Sequence, residues 1–100
     1  MQNQNSKEDK IEVLFFGSKD CKKCQLMIKE FSITGVSYTY IDILADDTQV
    51  ICDEQNVNEV PHVQILNDGK KVLEITGYIN PVDLNKYLRD AKKYLQNVHQ

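Results

Sequence analysis

The run Val13-Leu14-Phe15-Phe16 is apolar at every position, and Cys21-Lys22-Lys23-Cys24 follows it after a short loop. A strand with one wet face alternates apolar and polar residues. An unbroken apolar run needs cover on both faces, so this segment predicts an interior strand of a parallel or mixed sheet. Two thiols three residues apart, where such a strand gives way to a helix, most often form a redox site in a small chain without other cysteine pairs.

The rest of the pattern can be laid around that strand. Residues 11–16 form it, and Gly17-Ser18-Lys19-Asp20 is the loop. A helix is expected from Cys21 to Ser32, with Cys24, Met27, Ile28 and Phe31 on its core face. Gly35 ends the helical region. Residues 36–43 alternate and are rich in β-branched and aromatic residues, which predicts a second strand. A weaker helix is expected over 46–55, with acidic residues in its first turn. Pro61 has no donor for a sheet ladder and should open or precede the third strand, 62–66.

Asp68-Gly69 lies between two apolar runs, a strong signal for a tight hairpin into a fourth strand over 71–76. Asn80 can cap the last helix and Pro81 suits its first turn. Leu84, Tyr87, Leu88, Ala91, Tyr94, Leu95 and Val98 make one apolar stripe along that helix. The order is β-α-β-α-β-β-α, a four-stranded mixed sheet flanked by helices. The first two strands are joined by a helix and should be parallel, with a right-handed crossover.

One hundred residues, 41% of them hydrophobic and 27% charged, make one soluble globular domain. Residues 1–10 are polar throughout and read as a flexible arm, with the domain occupying 11–100. They lack the apolar core of a signal peptide, and no window has the length of a membrane span. A net charge of −3 argues against nucleic acid as a partner. Residues 36–60 hold Asp42, Asp46, Asp47, Asp53, Glu54 and Glu59 and no Lys or Arg. That stretch reads as solvated surface or as an acidic partner-facing patch beside the thiols. Three cysteines are too few, and odd in number, for a disulfide-stapled secreted domain, so a cytoplasmic location is expected.

The element order, Cys21-x-x-Cys24 at the first strand-to-helix junction, Pro61 before the third strand and Gly77 after the fourth together resemble the thioredoxin fold over residues 11–97. In size and in the loop Phe16-Gly17-Ser18-Lys19-Asp20-Cys21 the chain is similar to glutaredoxins. It carries Glu74-Ile75-Thr76-Gly77-Tyr78 where they usually have a Gly-Gly-x-Asp segment that holds glutathione. The stretch from Val60 to Lys70, followed by Gly77, is more similar to thioredoxins. The resemblance implies a cis peptide at Val60-Pro61 beside the site. Two departures stand out. The dipeptide is Lys22-Lys23 rather than Gly-Pro. Phe15 occupies the place of a buried Asp, and Tyr40 that of its Lys partner, so the resemblance provides no acid–base pair for the second thiol.

What this implies is a protein-disulfide reductase. Cys21, at a helix N-terminus, would be the nucleophile, with a pKa below the free value of about 8.5. Cys24 would be the resolving thiol. Lys22 and Lys23 add positive charge, which favours the reduced pair and makes the disulfide more oxidising, while Asp20 works the other way. Pro61 keeps a backbone donor away from the site, Val60 offers its main chain to an extended substrate, Gly77 allows close approach, and Tyr78 lies at the rim. No bound cofactor is implied. Partners are disulfide-containing proteins and an external reductase or glutathione, and the chain is expected to act as a monomer.

Other readings stay open on the residues alone. A glutaredoxin-type activity is one. A redox-inactive binding module is another, and a metal site is a third, although only Cys52, His62 and His99 remain to complete a ligand set. Cys52 reads as a small core filler, or as a regulatory thiol if exposed. His62 reads as an ordinary strand residue or a proton-transfer group. His99 reads as uninvolved.

Overall fold

The computed structural model describes residues 10–98, with side chains through 91. Residues 1–9 of the expected arm, His99 and the side chains of Tyr94, Leu95 and Val98 lie outside the described residues, while Lys10 is tied to the sheet by its carbonyl, which accepts the Asp68 N–H at 3.0 Å. Four strands form one sheet: β1 (Ile11–Gly17), β2 (Thr39–Asp42), β3 (His62–Asn67) and β4 (Lys70–Thr76). Helices α1 (Lys22–Thr34), α2 (Gln49–Glu54) and α3 (Pro81–Val98) pack on its faces. The spatial order of the strands is β2-β1-β3-β4. The apolar run thus lies in an interior strand, parallel to β2 and antiparallel to β3. Val13 and Phe15 face one core cluster, while Phe16 belongs to a second on the other face of the sheet. This period-two split is why the run tolerates no polar residue.

Helix α1 buries Cys24, Met27 and Phe31 against the first face. Ile28 is half-buried at the margin of the same cluster. Helix α3 covers that face with Leu84, Leu88 and Ala91. Tyr87, expected on its apolar stripe, is exposed. The phenol has a polar end, and a residue three past Leu84 lies at the edge of a helical face rather than at its centre. Asn80 caps α3 as expected: its Oδ1 accepts from the Asp83 N–H at 2.8 Å, and its amide donates back to the Asp83 carboxylate at 3.2 Å. The α1 helix ends at Gly35 in the left-handed conformation, φ 75°, with its N–H on the Phe31 carbonyl.

The second face is covered by a short segment that differs from the expected single helix. Asp46–Thr48 is a 3-10 turn, followed by α2, which contributes Cys52 to the second cluster. Thr48 Oγ1 donates to the carbonyls of Asp42 (2.6 Å) and Ala45 (3.0 Å), which holds the entry in the tighter turn. β2 is also shorter than the eight residues expected. The parallel ladder begins only at Leu14–Thr39, because residues 36–38 are still climbing from the end of α1 to the sheet. The hairpin between β3 and β4 turns on Asp68 (φ 54°) and Gly69 (φ 81°), two positive φ values in succession.

Candidate active site

The end of β1 delivers the chain to the site. Gly17 is buried, and Cys21 is the N-cap of α1, in extended conformation. The Cys21 Sγ accepts the Cys24 backbone N–H at 3.1 Å, so the sulfur occupies the position where an Asp or Ser side chain usually caps a helix. The loop is pinned from both sides. Cys21 N–H donates to the Ser18 carbonyl at 3.2 Å, and the Gln25 amide donates to the same oxygen at 3.2 Å. Cys21 and Cys24 are joined as a disulfide, their Cα atoms 5.2 Å apart.

The two sulfurs have unequal surroundings. Cys24 is 0% exposed, whereas Cys21 is half-buried at the edge of the first cluster. Lys22 and Lys23 are exposed, on the side of the first turn away from the core. Cys52 is buried in the second cluster, on the opposite face of the sheet from Cys24, and takes the filler role. No group of three or more His, Cys, Asp or Glu side chains among the described residues has metal-ligating geometry.

β3 brings the other half. Its register with β1 pairs Phe16 with His62, so Pro61, one step further, comes level with Gly17. Pro61 is buried, and the Val60–Pro61 peptide is cis. The Pro61 carbonyl accepts the Gly77 N–H at 2.8 Å, and Gly77 holds φ 103°, a conformation that favours glycine. Val60 is half-buried and packs against both clusters. Tyr78 is exposed, and its hydroxyl donates to the Glu30 carboxylate in the third turn of α1. The polar end of Tyr78 is therefore directed along α1 rather than at the disulfide.

The sequence reading did not anticipate the polar network that begins at His62, which is 7% exposed. Its Nδ1 lies 2.9 Å from Thr76 Oγ1, and its Nε2 lies 3.3 Å from the Gln64 amide and 3.4 Å from the Glu74 carboxylate. A neutral ring, donating from Nδ1 and accepting at Nε2, satisfies the first two. Burial pushes the His62 pKa below its ordinary value, against the opposing pull of Glu74. Folding then favours the neutral ring, whose contribution to stability is complete above the unfolded value of 6.5 and is lost as pH falls towards the folded value. Thermal midpoints of the wild type should drop as pH falls below the unfolded value of 6.5, and His62→Gln should flatten that dependence. An equal slope in both proteins would remove His62 as its source.

A half-buried sulfur capping a helix, a fully buried partner sulfur bonded to it and a cis-proline alongside define a thioredoxin-fold protein with a redox-capable dithiol. The family model of the thioredoxin-like domain matches residues 1–92, and the chain belongs to that family. Solved structures agree on the fold. A mutant thioredoxin from Halobacterium salinarum superposes with a TM-score of 0.72 at 19% identity, covering 85% of this chain and 77% of that one. A chain of the complex between ferredoxin:thioredoxin reductase and thioredoxin f2 gives 0.71 at 24% identity, covering 88% and 83%. Mitochondrial thioredoxin 3 of Saccharomyces cerevisiae, in its oxidized form, gives 0.65 at 24% identity, covering 87% and 84%. No curated protein matches the sequence. The fold and the Cys-x-x-Cys motif point to thiol–disulfide oxidoreductase chemistry.

Proposed function

We propose that this protein is a thiol–disulfide oxidoreductase of the thioredoxin type that reduces disulfides in protein substrates. The observation that carries this reading is the asymmetry of the two sulfurs: Cys21 is half-buried and caps α1, while Cys24 is fully buried behind it. In the reduced protein the Cys21 thiolate attacks one sulfur of a substrate disulfide. A Cys21–substrate bond forms, and the other substrate sulfur leaves as a thiolate that takes a proton from solvent. The Cys24 thiolate then attacks Cys21 Sγ, closes the Cys21–Cys24 bond and releases the second substrate sulfur. Two electrons and two protons pass from the dithiol to the substrate.

The helix N-terminus stabilises the Cys21 thiolate through the unpaired N–H groups of its first turn. Lys22 and Lys23 act in the same direction, weakly because both are exposed and screened. Val60 and Gly77 flank Pro61 and offer an extended substrate segment main-chain contact and close approach, with the ring of Tyr78 at the rim. Neither step uses a bound cofactor. The reduced state is restored by an external reductase or by glutathione; the reductase is favoured because a structural neighbour is found in complex with one. The protein would work as a monomer in the cytoplasm, a compartment reducing enough to turn the dithiol over.

Titration against defined ratios of reduced and oxidised glutathione, with free thiols trapped by alkylation and counted by mass, tests the reading. A reversible two-electron transition within the cellular range is expected. A pair that forms no reversible disulfide at any ratio would leave a redox-inactive binding module.

A further inference from the structure

Gly17 is the last residue of β1 and has no side chain to fill the space above it. Two groups fill that space instead. A Cβ placed on Gly17 would lie 3.0 Å from the Tyr40 hydroxyl and 3.1 Å from Cys24 Sγ. The phenol oxygen and the buried sulfur therefore share one small volume and are at most about 6 Å apart, a span that a direct contact or a single water closes. We propose that the Tyr40 hydroxyl hydrogen-bonds the Cys24 sulfur when the disulfide opens, and that the absence of a side chain at Gly17 is what admits it. This rests on the oxidoreductase reading and assigns a residue to its second step.

Cys24 needs such a group. Its sulfur is 0% exposed, and burial among apolar side chains disfavours the thiolate that must attack Cys21. Tyr40 is well placed to offset this. Its ring is held edge-on to Phe15, with centroids 5.3 Å apart, in the register that pairs Phe15 with Tyr40 across β1 and β2. The residue is still 37% exposed, so Tyr40 spans from solvent to the buried volume.

The groups around the phenol are few. β1 presents Phe15 and Gly17, which carry no charge, and α1 presents Cys24. Burial raises the phenol's pKa, and Asp42 and Tyr38 from its own segment add to the shift. Tyr40 thus stays protonated and acts as a donor rather than a second anion. In the resolving step the Cys24 thiol proton passes to water at the hydroxyl, and the phenol donates to the thiolate left behind. That thiolate then forms the Cys21–Cys24 bond as the Cys21–substrate bond breaks.

Dithiobis(nitrobenzoate) separates the two steps in one stopped-flow trace. Cys21 attack releases a first thionitrobenzoate, and Cys24 resolution releases a second. Tyr40→Phe keeps the ring and its packing on Phe15. It should slow the second phase about tenfold near neutral pH, equivalent to one pKa unit, and leave the first phase unchanged. The midpoint of the second phase in a pH profile should move up. An unchanged second phase, or equal slowing of both, overturns the assignment of Tyr40 while leaving the dithiol mechanism standing. No second release from the wild type overturns both.

Discussion

Cys21→Ser should bring reduction of a protein disulfide to the uncatalysed level, whereas Cys24→Ser should stall the reaction at a covalent adduct. The difference follows from access. Cys21 is half-buried at a helix terminus, and its sulfur already accepts a backbone N–H at 3.1 Å. Cys24 is sealed, with the walls of the first core cluster around it. In Cys21→Ser the two remaining thiols, Cys24 and Cys52, are both buried and cannot meet a substrate, so neither turnover nor rapid alkylation should be seen. In Cys24→Ser the substrate-linked intermediate has no internal nucleophile to resolve it, and mass spectrometry should find the mixed disulfide accumulating. Alkylation of Cys21 should proceed at close to its normal rate. Turnover in Cys21→Ser, or faster labelling of Cys24 than of Cys21, would invert the assignment of the two roles.

A comparably large effect on stability is expected at Phe15. The side chain is 0% exposed in the middle of the interior strand, and its ring contacts those of Phe31 (5.6 Å), Tyr38 (5.5 Å) and Tyr40 (5.3 Å). Truncation removes the apolar area and leaves a cavity between β1, β2 and α1 that rigid neighbours fill poorly. Phe15→Ala should therefore cost about 3–5 kcal/mol. Against a total stability of about 5–15 kcal/mol for a domain, that is a large share. The thermal midpoint should fall by about 15 °C or more. Urea unfolding should show a lower midpoint at unchanged slope. A loss under about 1 kcal/mol would mean that the aromatic cluster relaxes into the gap.

The same residue shows what the sequence made legible. Four consecutive apolar residues placed β1 inside the sheet, and the pairing of Phe15 with Tyr40 could be expected from the natural register of the two strands. The Asp68-Gly69 turn, the Asn80 cap and the placing of Pro61 before β3 were legible because each rests on local stereochemistry, whereas the cis peptide at Pro61 was expected from the resemblance to thioredoxins. What was missed depends on contacts between distant residues. Thr48 tightens its turn through the carbonyl of Asp42, six residues away, which no helical pattern reveals. His62 and Gln64 are buried polar residues on β3, and polarity in a sequence reads as exposure. Their burial needed Thr76 and Glu74 of the neighbouring strand to be brought alongside. The link between Tyr40 and Cys24 has no signal in the sequence, because it depends on the bare Gly17 backbone putting the hydroxyl and the sulfur in one space.

The sheet has two open edges, β2 and β4, and each is guarded. β2 has only four residues, too short to template a long pairing. β4 is longer but exposes Lys70, Lys71 and Glu74, and a bulge at Ile65/Leu66 disturbs its register with β3. Short length, edge lysines and a bulge are the features that discourage a foreign strand from adding to a sheet. If extended substrate segments dock by main-chain contact as proposed, that contact is confined to the short stretch around Val60 and Pro61 rather than spread along either edge. The sheet's flanks resist aggregation in a crowded solution.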